Sequence, residues 1–192
     1  AKKEVALITG GGTGIGFAIA KKLHSMNKTV VLTGRRKEKL LNAKKILKTR
    51  CHIIEHDVSK LDSIPSLILE IEKNIGPINF LINNAGMHLR KIALETTDDE
   101  WRNVIDTNLN SVFSLSRECA KKMIQRKKGN IILVGSVTTL MALPDVTAYA
   151  TSKTALSGLA RTLAIELGKY SINVNCICPG FIQTDIFKRV RK

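Results

Sequence analysis

The chain has 192 residues, 44 % of them hydrophobic, and 31 Lys and Arg against 16 Asp and Glu give a formal net charge of +15. That size and apolar content fit one globular α/β domain with a substantial core. No apolar run reaches the ~20 residues of a membrane-spanning helix, no stretch has the form of a secretion signal, and the four cysteines lack zinc-ribbon or Cys-x-x-Cys spacing, so membrane, secreted and metal-site readings are not expected.

The first element is an apolar strand at 5–9, followed by Gly10-Gly11-Gly12-Thr13-Gly14-Ile15-Gly16 and an amphipathic helix from about Gly14. Gly10 can turn sharply off the strand, where a Cβ would be strained. Gly14 lets the main chain approach a pyrophosphate, and Gly16 lets the helix pack close to the sheet. The N–H groups of the first helical turn, around Thr13 and Ile15, offer partial positive charge to a phosphate.

A second strand at 29–33 ends in Gly34-Arg35-Arg36, with no acid at the turn. A carboxylate there would bond a ribose 2′-hydroxyl and repel a 2′-phosphate. Gly34 removes the repulsion and Arg35 and Arg36 supply cations, so NADP(H) is expected ahead of NAD(H), with Arg35 the principal contact. The third strand, at 51–55, leads to Asp57-Val58, and the fourth, at 78–83, leads to Asn83-Asn84-Ala85-Gly86. The carboxyl ends of such strands form the ligand crevice of an open sheet. His88, just beyond, reads as a solvent-facing loop residue.

Fifth and sixth strands are expected at 130–135 and 173–177, and further helices from near Lys37, Leu61, Asp98 and Thr147. The strands are continuously apolar, as in sheets covered on both faces. Regular β-α alternation with right-handed crossovers gives a three-layer, doubly wound parallel sheet of Rossmann type, order 3-2-1-4-5-6. Cys176 and Cys178 flank Ile177 and point to one face. The clusters Gln125-Arg126-Lys127-Lys128 and Lys188-Arg189-Val190-Arg191-Lys192 carry no interleaved aromatics. They read as solvated surface rather than a specific nucleic-acid site, able to steer anionic ligands.

Tyr149 and Lys153 lie one helical turn apart, on one face, with Ser136 upstream. A free tyrosine titrates near ~10. Bringing it to neutral pH requires roughly 4 kcal/mol of differential stabilisation, which a neighbouring ammonium in a partly dry pocket could supply.

Thr9-Gly10-x-x-x-Gly14-Ile15-Gly16, Asn83-Asn84-Ala85-Gly86, Ser136, Tyr149-x-x-x-Lys153 and Pro179-Gly180 follow in that order. The series resembles the short-chain dehydrogenase/reductases, from the first strand to about Thr184. The spacings of thirteen residues from Ser136 to Tyr149 and twenty-eight from Asn108 to Ser136 match the same pattern. The resemblance implies an NAD(P)-dependent enzyme that interconverts a carbonyl and a secondary alcohol. It implies that Ser136 bonds the substrate oxygen and that Tyr149 gives or takes its proton. Lys153 would bind the nicotinamide ribose and lower the Tyr149 pKa, and Asn108 would hold a water joining Lys153 to solvent. Asp57 and the Val58 main chain would meet the adenine. Asn84, Ala85 and Gly86 would lie beside the adenosine. Pro179, Gly180, Ile182 and Thr184 would hold the carboxamide end.

The four cysteines read as reduced packing residues of a cytoplasmic protein without a metal site, and the resemblance further implies a homotetramer. Relatives continue past Pro179-Gly180 into a lid and a seventh strand, so a single domain, 1–192, lacking both is expected. The substrate patterns resemble 3-oxoacyl-carrier-protein reductase-like and gluconate 5-dehydrogenase-like members. The stretches 134–139 and 180–185 favour the oxoacyl-thioester side. A dinucleotide-binding protein without turnover is the third reading.

Overall fold

The computed structural model describes residues 4–183. Six strands, β1 (Val5–Thr9), β2 (Thr29–Gly34), β3 (Cys51–Glu55), β4 (Ile78–Asn83), β5 (Gly129–Val134) and β6 (Ile172–Ile177), form one sheet. Their order is β3-β2-β1-β4-β5-β6, as expected, and every pairing is parallel. Strand boundaries differ from expectation by a residue. β2 continues to Gly34 because Gly34 still pairs with Glu55. β5 starts at Gly129, where a Cβ would lie 2.3 Å from the Met123 sulfur, so a larger residue would displace that buried side chain.

Helices α1 (Gly14–Ser25) and α2 (Lys37–Leu47) cover one face, and α3 (Ile64–Asn74), α5 (Ser111–Arg126) and α6 (Thr147–Gly168) the other. Period-two alternation along β1 divides the core. Val5 and Leu7 pack with Ile68, Leu115 and Leu156, whereas Ala6 and Ile8 pack with Ala20, Leu40 and Ala43. Each fully buried Leu or Ile contributes ~1.5–3 kcal/mol. Helix α3 starts later than its pattern suggested, after a single 3-10 turn at Leu61–Ser63, with Pro65 in its first turn where no backbone donor is required.

The helix expected from Asp98 is present as α4 (Asp98–Ile105), opened by a capping box between Thr97 and Glu100. It does not run on as a plain α-helix. A π-helical turn, Asp106–Asn110, separates it from α5. Such wider turns gather at functional sites, and this one carries Asn108. At the opposite end of the sheet, Arg126 grips Glu72 through both guanidinium nitrogens, at 2.8 and 3.0 Å. Arg126 also donates to the Ile78 carbonyl, and Glu72 accepts from the Ile78 N–H, so α3, α5 and β4 are tied together.

All four thiols are unpaired. As expected, Cys176 and Cys178 share a face: a Cβ built on Gly135 would lie 3.1 Å from either sulfur. Burial and the neighbouring Cys178 push the Cys176 thiol up to about 11. No cluster of three or more potential metal ligands exists among the described residues, and no helix among them is long and apolar enough to cross a membrane.

Candidate active site

Strand order reverses between β1 and β4, which opens a crevice at their carboxyl ends. Gly10 leaves β1 at φ +63°, a conformation that favours glycine. Asn84 staples the two strand ends together, its Nδ2 donating to the carbonyls of Thr9 (2.9 Å) and Gly10 (3.2 Å). The Thr9 hydroxyl accepts from the N–H groups of Asn84 and Ala85, each at 3.0 Å. Gly16 presses on this staple. A Cβ there would stand 2.4 Å from Asn84 Nδ2 and 2.5 Å from the Gly10 carbonyl oxygen. The sequence reading of Gly16 as a packing glycine therefore holds, and its partner is the strand-end staple. Gly16→Ala should lower unfolding stability by ~1–3 kcal/mol and weaken dinucleotide binding, measured by urea melting and by titration. Parent-like values for both would refute the packing argument.

The N-terminus of α1 fits an anion. Thr13 caps it without a side-chain hydrogen bond, and its first turn holds no acid. Its free N–H groups face the crevice beside Gly14 and Ile15. From there a cavity of about 830 Å³ extends along Gly34, Arg35, Arg36, Asp57 and Val58. Arg36 donates to the Thr13 hydroxyl at 3.4 Å. Arg35 is mostly exposed, 4.0 Å from Asp57 Oδ2. Lys39, which the sequence reading did not single out, lines the same space. Only its place in the first turn of α2 could have signalled it. Burial pushes the Asp57 carboxyl up, but two hydrogen bonds from Ser59 and the nearby Arg35 and Lys60 outweigh this and leave it below its ordinary range.

A second cavity, about 460 Å³, shares Gly10, Thr13, Ala85 and Gly86 with the first and is lined by Ser136, Tyr149 and Lys153. Ser136 follows β5, Tyr149 lies in the first turn of α6, and Lys153 is one turn on. Ser136 accepts from the Thr138 N–H at 3.2 Å, and its hydroxyl is close enough to Tyr149 to favour the phenolate. Lys153 is 5 % exposed and donates to the Val134 carbonyl at 2.7 Å. Burial lowers it from 10.5 to about 8, against the opposing pull of Cys176 and Cys178.

Tyr149 corrects the sequence reading. Its acidity is not enhanced in this structure: burial raises the phenol above its ordinary 10.0, and only the neighbouring Ser136 hydroxyl acts the other way. The physical reason is the aim of Lys153. Its ammonium is directed to the Val134 carbonyl and sits 5.9 Å from the Tyr149 ring centroid.

Asn108 is fully buried, and its amide is committed to protein. Oδ1 accepts from the Met87 N–H (2.8 Å), while Nδ2 donates to the Met87 carbonyl (2.9 Å) and to Ser152 Oγ (3.0 Å). The side chain therefore locks the loop after β4 to α6. A water relay through Asn108 would have to use what these bonds leave over. Gly86 lies over both groups, since a Cβ there would be 3.3 Å from Asn108 Oδ1 and 3.5 Å from Lys153 Nζ.

Pro179 accepts from the Val137 N–H at 2.9 Å, which brings Gly180, Phe181 and Ile182 to the cavity wall. Thr184 lies outside the described residues. The remaining wall is largely apolar: Met87, Val137, Leu143, Pro144 and Val146. His88 departs from expectation. It is half-buried at the junction of the two cavities, its ring 4.6 Å from that of Tyr149. No periodicity in an irregular loop could have indicated that contact.

Three comparisons bear on this arrangement. The short chain dehydrogenase family model matches residues 4–192. The 3-oxoacyl-[acyl-carrier-protein] reductase FabG of Salmonella typhimurium is 35 % identical over 183 residues, 95 % of this chain and 75 % of that protein. Gluconate 5-dehydrogenase of Gluconobacter oxydans is 32 % identical over 188 residues, 96 % of this chain and 73 % of the relative. Among solved structures, a variant of actinorhodin polyketide ketoreductase with NADPH superposes with TM-score 0.94 at 31 % identity, covering 98 % of this chain and 74 % of that one.

Proposed function

Because the chain belongs to the short-chain dehydrogenase/reductase family, we propose that it is an NADP(H)-dependent oxidoreductase interconverting a carbonyl and a secondary alcohol, with a 3-oxoacyl-thioester as the carbonyl substrate. The observation that carries the reading is the convergence of Ser136, Tyr149 and buried Lys153 on an apolar cavity that opens onto the glycine turn.

Gly10, Thr13, Gly14 and Ile15 would hold the pyrophosphate, with Gly16 keeping the turn closed. Arg35 and Arg36 would hold the 2′-phosphate, and Asp57 with Val58 the adenine. Asn84, Ala85 and Gly86 would flank the adenosine, Tyr149 and Lys153 the nicotinamide ribose, and Pro179, Gly180, Ile182 and Thr184 the carboxamide. The dinucleotide, when bound, supplies or accepts the hydride. In the reducing direction Ser136 donates to the carbonyl oxygen, and Tyr149 delivers a proton there as negative charge grows. The Ser136 hydroxyl, the one group that lowers the Tyr149 pKa, then favours the phenolate left behind. Burial that raises the Tyr149 pKa keeps the phenol protonated at neutral pH, which suits an acid and hence reduction. In alcohol oxidation the same two hydroxyls run the proton the other way.

The apolar wall of Met87, Val137, Leu143 and Phe181 supports an alkyl chain rather than a polyol, and Arg90 at the rim would accept an anionic group further along the substrate. A sugar-acid dehydrogenase is the second reading, supported by the Gluconobacter relative and by Arg90. The reading extends to a cytoplasmic homotetramer, for which half-exposed Phe113 on α5 and exposed Ile165 on α6 offer apolar surface.

NADPH oxidation measured across 3-oxoacyl thioesters, ketones and keto-sugar acids decides the substrate. Faster turnover of the sugar acids would reverse the assignment. For the cofactor, Arg35→Asp should lower kcat/KM with NADPH by about 10- to 100-fold, the worth of one charge-assisted contact, with a smaller effect on NADH. A preference of the unaltered protein for NADH would reject NADP(H).

A further inference from the structure

His88 sits where no motif places a function, yet its surroundings are highly determined. Asn108 grips the residue before it on both sides, bonding the Met87 N–H and the Met87 carbonyl. That double grip fixes the direction in which the chain enters His88. The same amide donates to Ser152 Oγ, and the Ser152 hydroxyl donates to the Tyr149 carbonyl at 2.7 Å. Ser152 and Asn108 are both fully buried. The main chains of His88 and Tyr149 are thus referred to one common amide. Their side chains meet on the other side, rings 4.6 Å apart and tilted by 42°. Main-chain bonds and ring contact together form a closed circuit around the phenol.

We propose that His88 is a positioning residue for Tyr149: its imidazole lies against the phenol ring, blocks rotation of that side chain about its first torsion, and so keeps the hydroxyl in the cavity it shares with Ser136. The inference rests on the reading of Tyr149 as the acid. A half-buried site needs a flat apolar face towards the ring and a polar edge towards solvent, which imidazole supplies and an aliphatic side chain does not. The charged neighbours leave this task to the ring face. Lys153 reaches Tyr149 from its own helix but is directed to the Val134 carbonyl. Arg90 pairs with Asp145 at 3.8 Å across the loop before α6. Burial and Arg90 keep the His88 imidazole below its ordinary 6.5, so it is neutral at physiological pH and adds no charge to the phenol. On this proposal the ring contact contributes to the burial that is the main cause of the raised Tyr149 value.

The test uses His88→Ala and His88→Phe, with two readouts. The first is phenolate absorbance on purified protein without added dinucleotide. The chain has only two tyrosines, Tyr149 and Tyr170, so Tyr149→Phe assigns the transition. His88→Ala should move the Tyr149 transition down towards the ordinary ~10, and His88→Phe should leave it in place. The second readout is steady-state kinetics. His88→Ala should lower kcat by about tenfold with KM within about twofold, and His88→Phe should recover most of the loss, because misplacing a reacting group acts on kcat. Parent-like titration and kcat in His88→Ala would overturn the proposal. So would a His88→Phe variant as impaired as His88→Ala, which would assign the effect to imidazole chemistry instead. If no substrate is turned over even by the parent, the catalytic reading fails while the titration still decides the role of His88. Should His88→Ala not fold, His88→Gln, of similar size and without a ring, replaces it.

Discussion

Replacing Tyr149 by phenylalanine is expected to lower kcat for carbonyl reduction by ~10²- to 10⁴-fold, the usual worth of a positioned general acid. Dinucleotide affinity, followed by fluorescence titration, should stay within about twofold, because the loss falls on an interaction made in the transition state. The ring, its contact with His88 and its place in the first turn of α6 all survive the change. The pH dependence carries a sign as well. A phenol raised by burial remains protonated through neutral pH, so reduction should stay level there and decline only as Tyr149 ionises. Substantial turnover by the variant would show that another group delivers the proton.

Lys153→Met is expected to abolish turnover and, at neutral pH, to make the protein more stable. The ammonium is almost fully buried and is held from 10.5 down to about 8 by the loss of water. A lysine with a depressed folded pKa binds its proton more weakly in the native state than in the unfolded chain. Stability therefore rises as pH passes from about 8 to 10.5 and is poorest below 8, where both states carry the charge. The shift corresponds to about 3 kcal/mol. The bond to the Val134 carbonyl, lost in the variant, offsets part of it, so a net gain on the order of 2 kcal/mol is expected. Urea melts of both proteins at pH 7 and pH 10.5 check this, since the other lysines are common to the two and cancel. A variant less stable than the parent at pH 7, or a difference that does not shrink by pH 10.5, would contradict the assignment.

Sheet order and strand placement were legible because continuous apolar runs alternating with helical periodicity leave few other ways to bury both faces. Gly10 and Gly16 were legible for steric reasons that the structure confirms atom by atom. What could not be read was the aim of side chains. Spacing puts Lys153 beside Tyr149, but whether its head group faces the hydroxyl or the Val134 carbonyl depends on a strand end nineteen residues upstream. The π turn at Asn108 was hidden because Val104, Val112 and Leu115 keep near-helical spacing on either side of polar Thr107 and Asn108. The contact of His88 with Tyr149 was hidden because it arises from a loop whose path is set by Asn108, twenty residues further on. In each case a long-range polar contact, rather than local propensity, decides the outcome.

The bare backbone of Gly135 has a consequence for how such a protein can change over generations. The Cys176 sulfur of β6 and the Cys178 sulfur just beyond the strand both crowd it, and Ser136 is the next residue. Volume at positions 135, 176 and 178 is accordingly a shared quantity. A methyl group admitted at 135 has to be surrendered across the strands, or the serine moves with the main chain. Drift at these three sites should proceed in compensated steps, and a lone enlargement at any one of them would be felt first as misplacement of the serine hydroxyl, before the fold itself gives way.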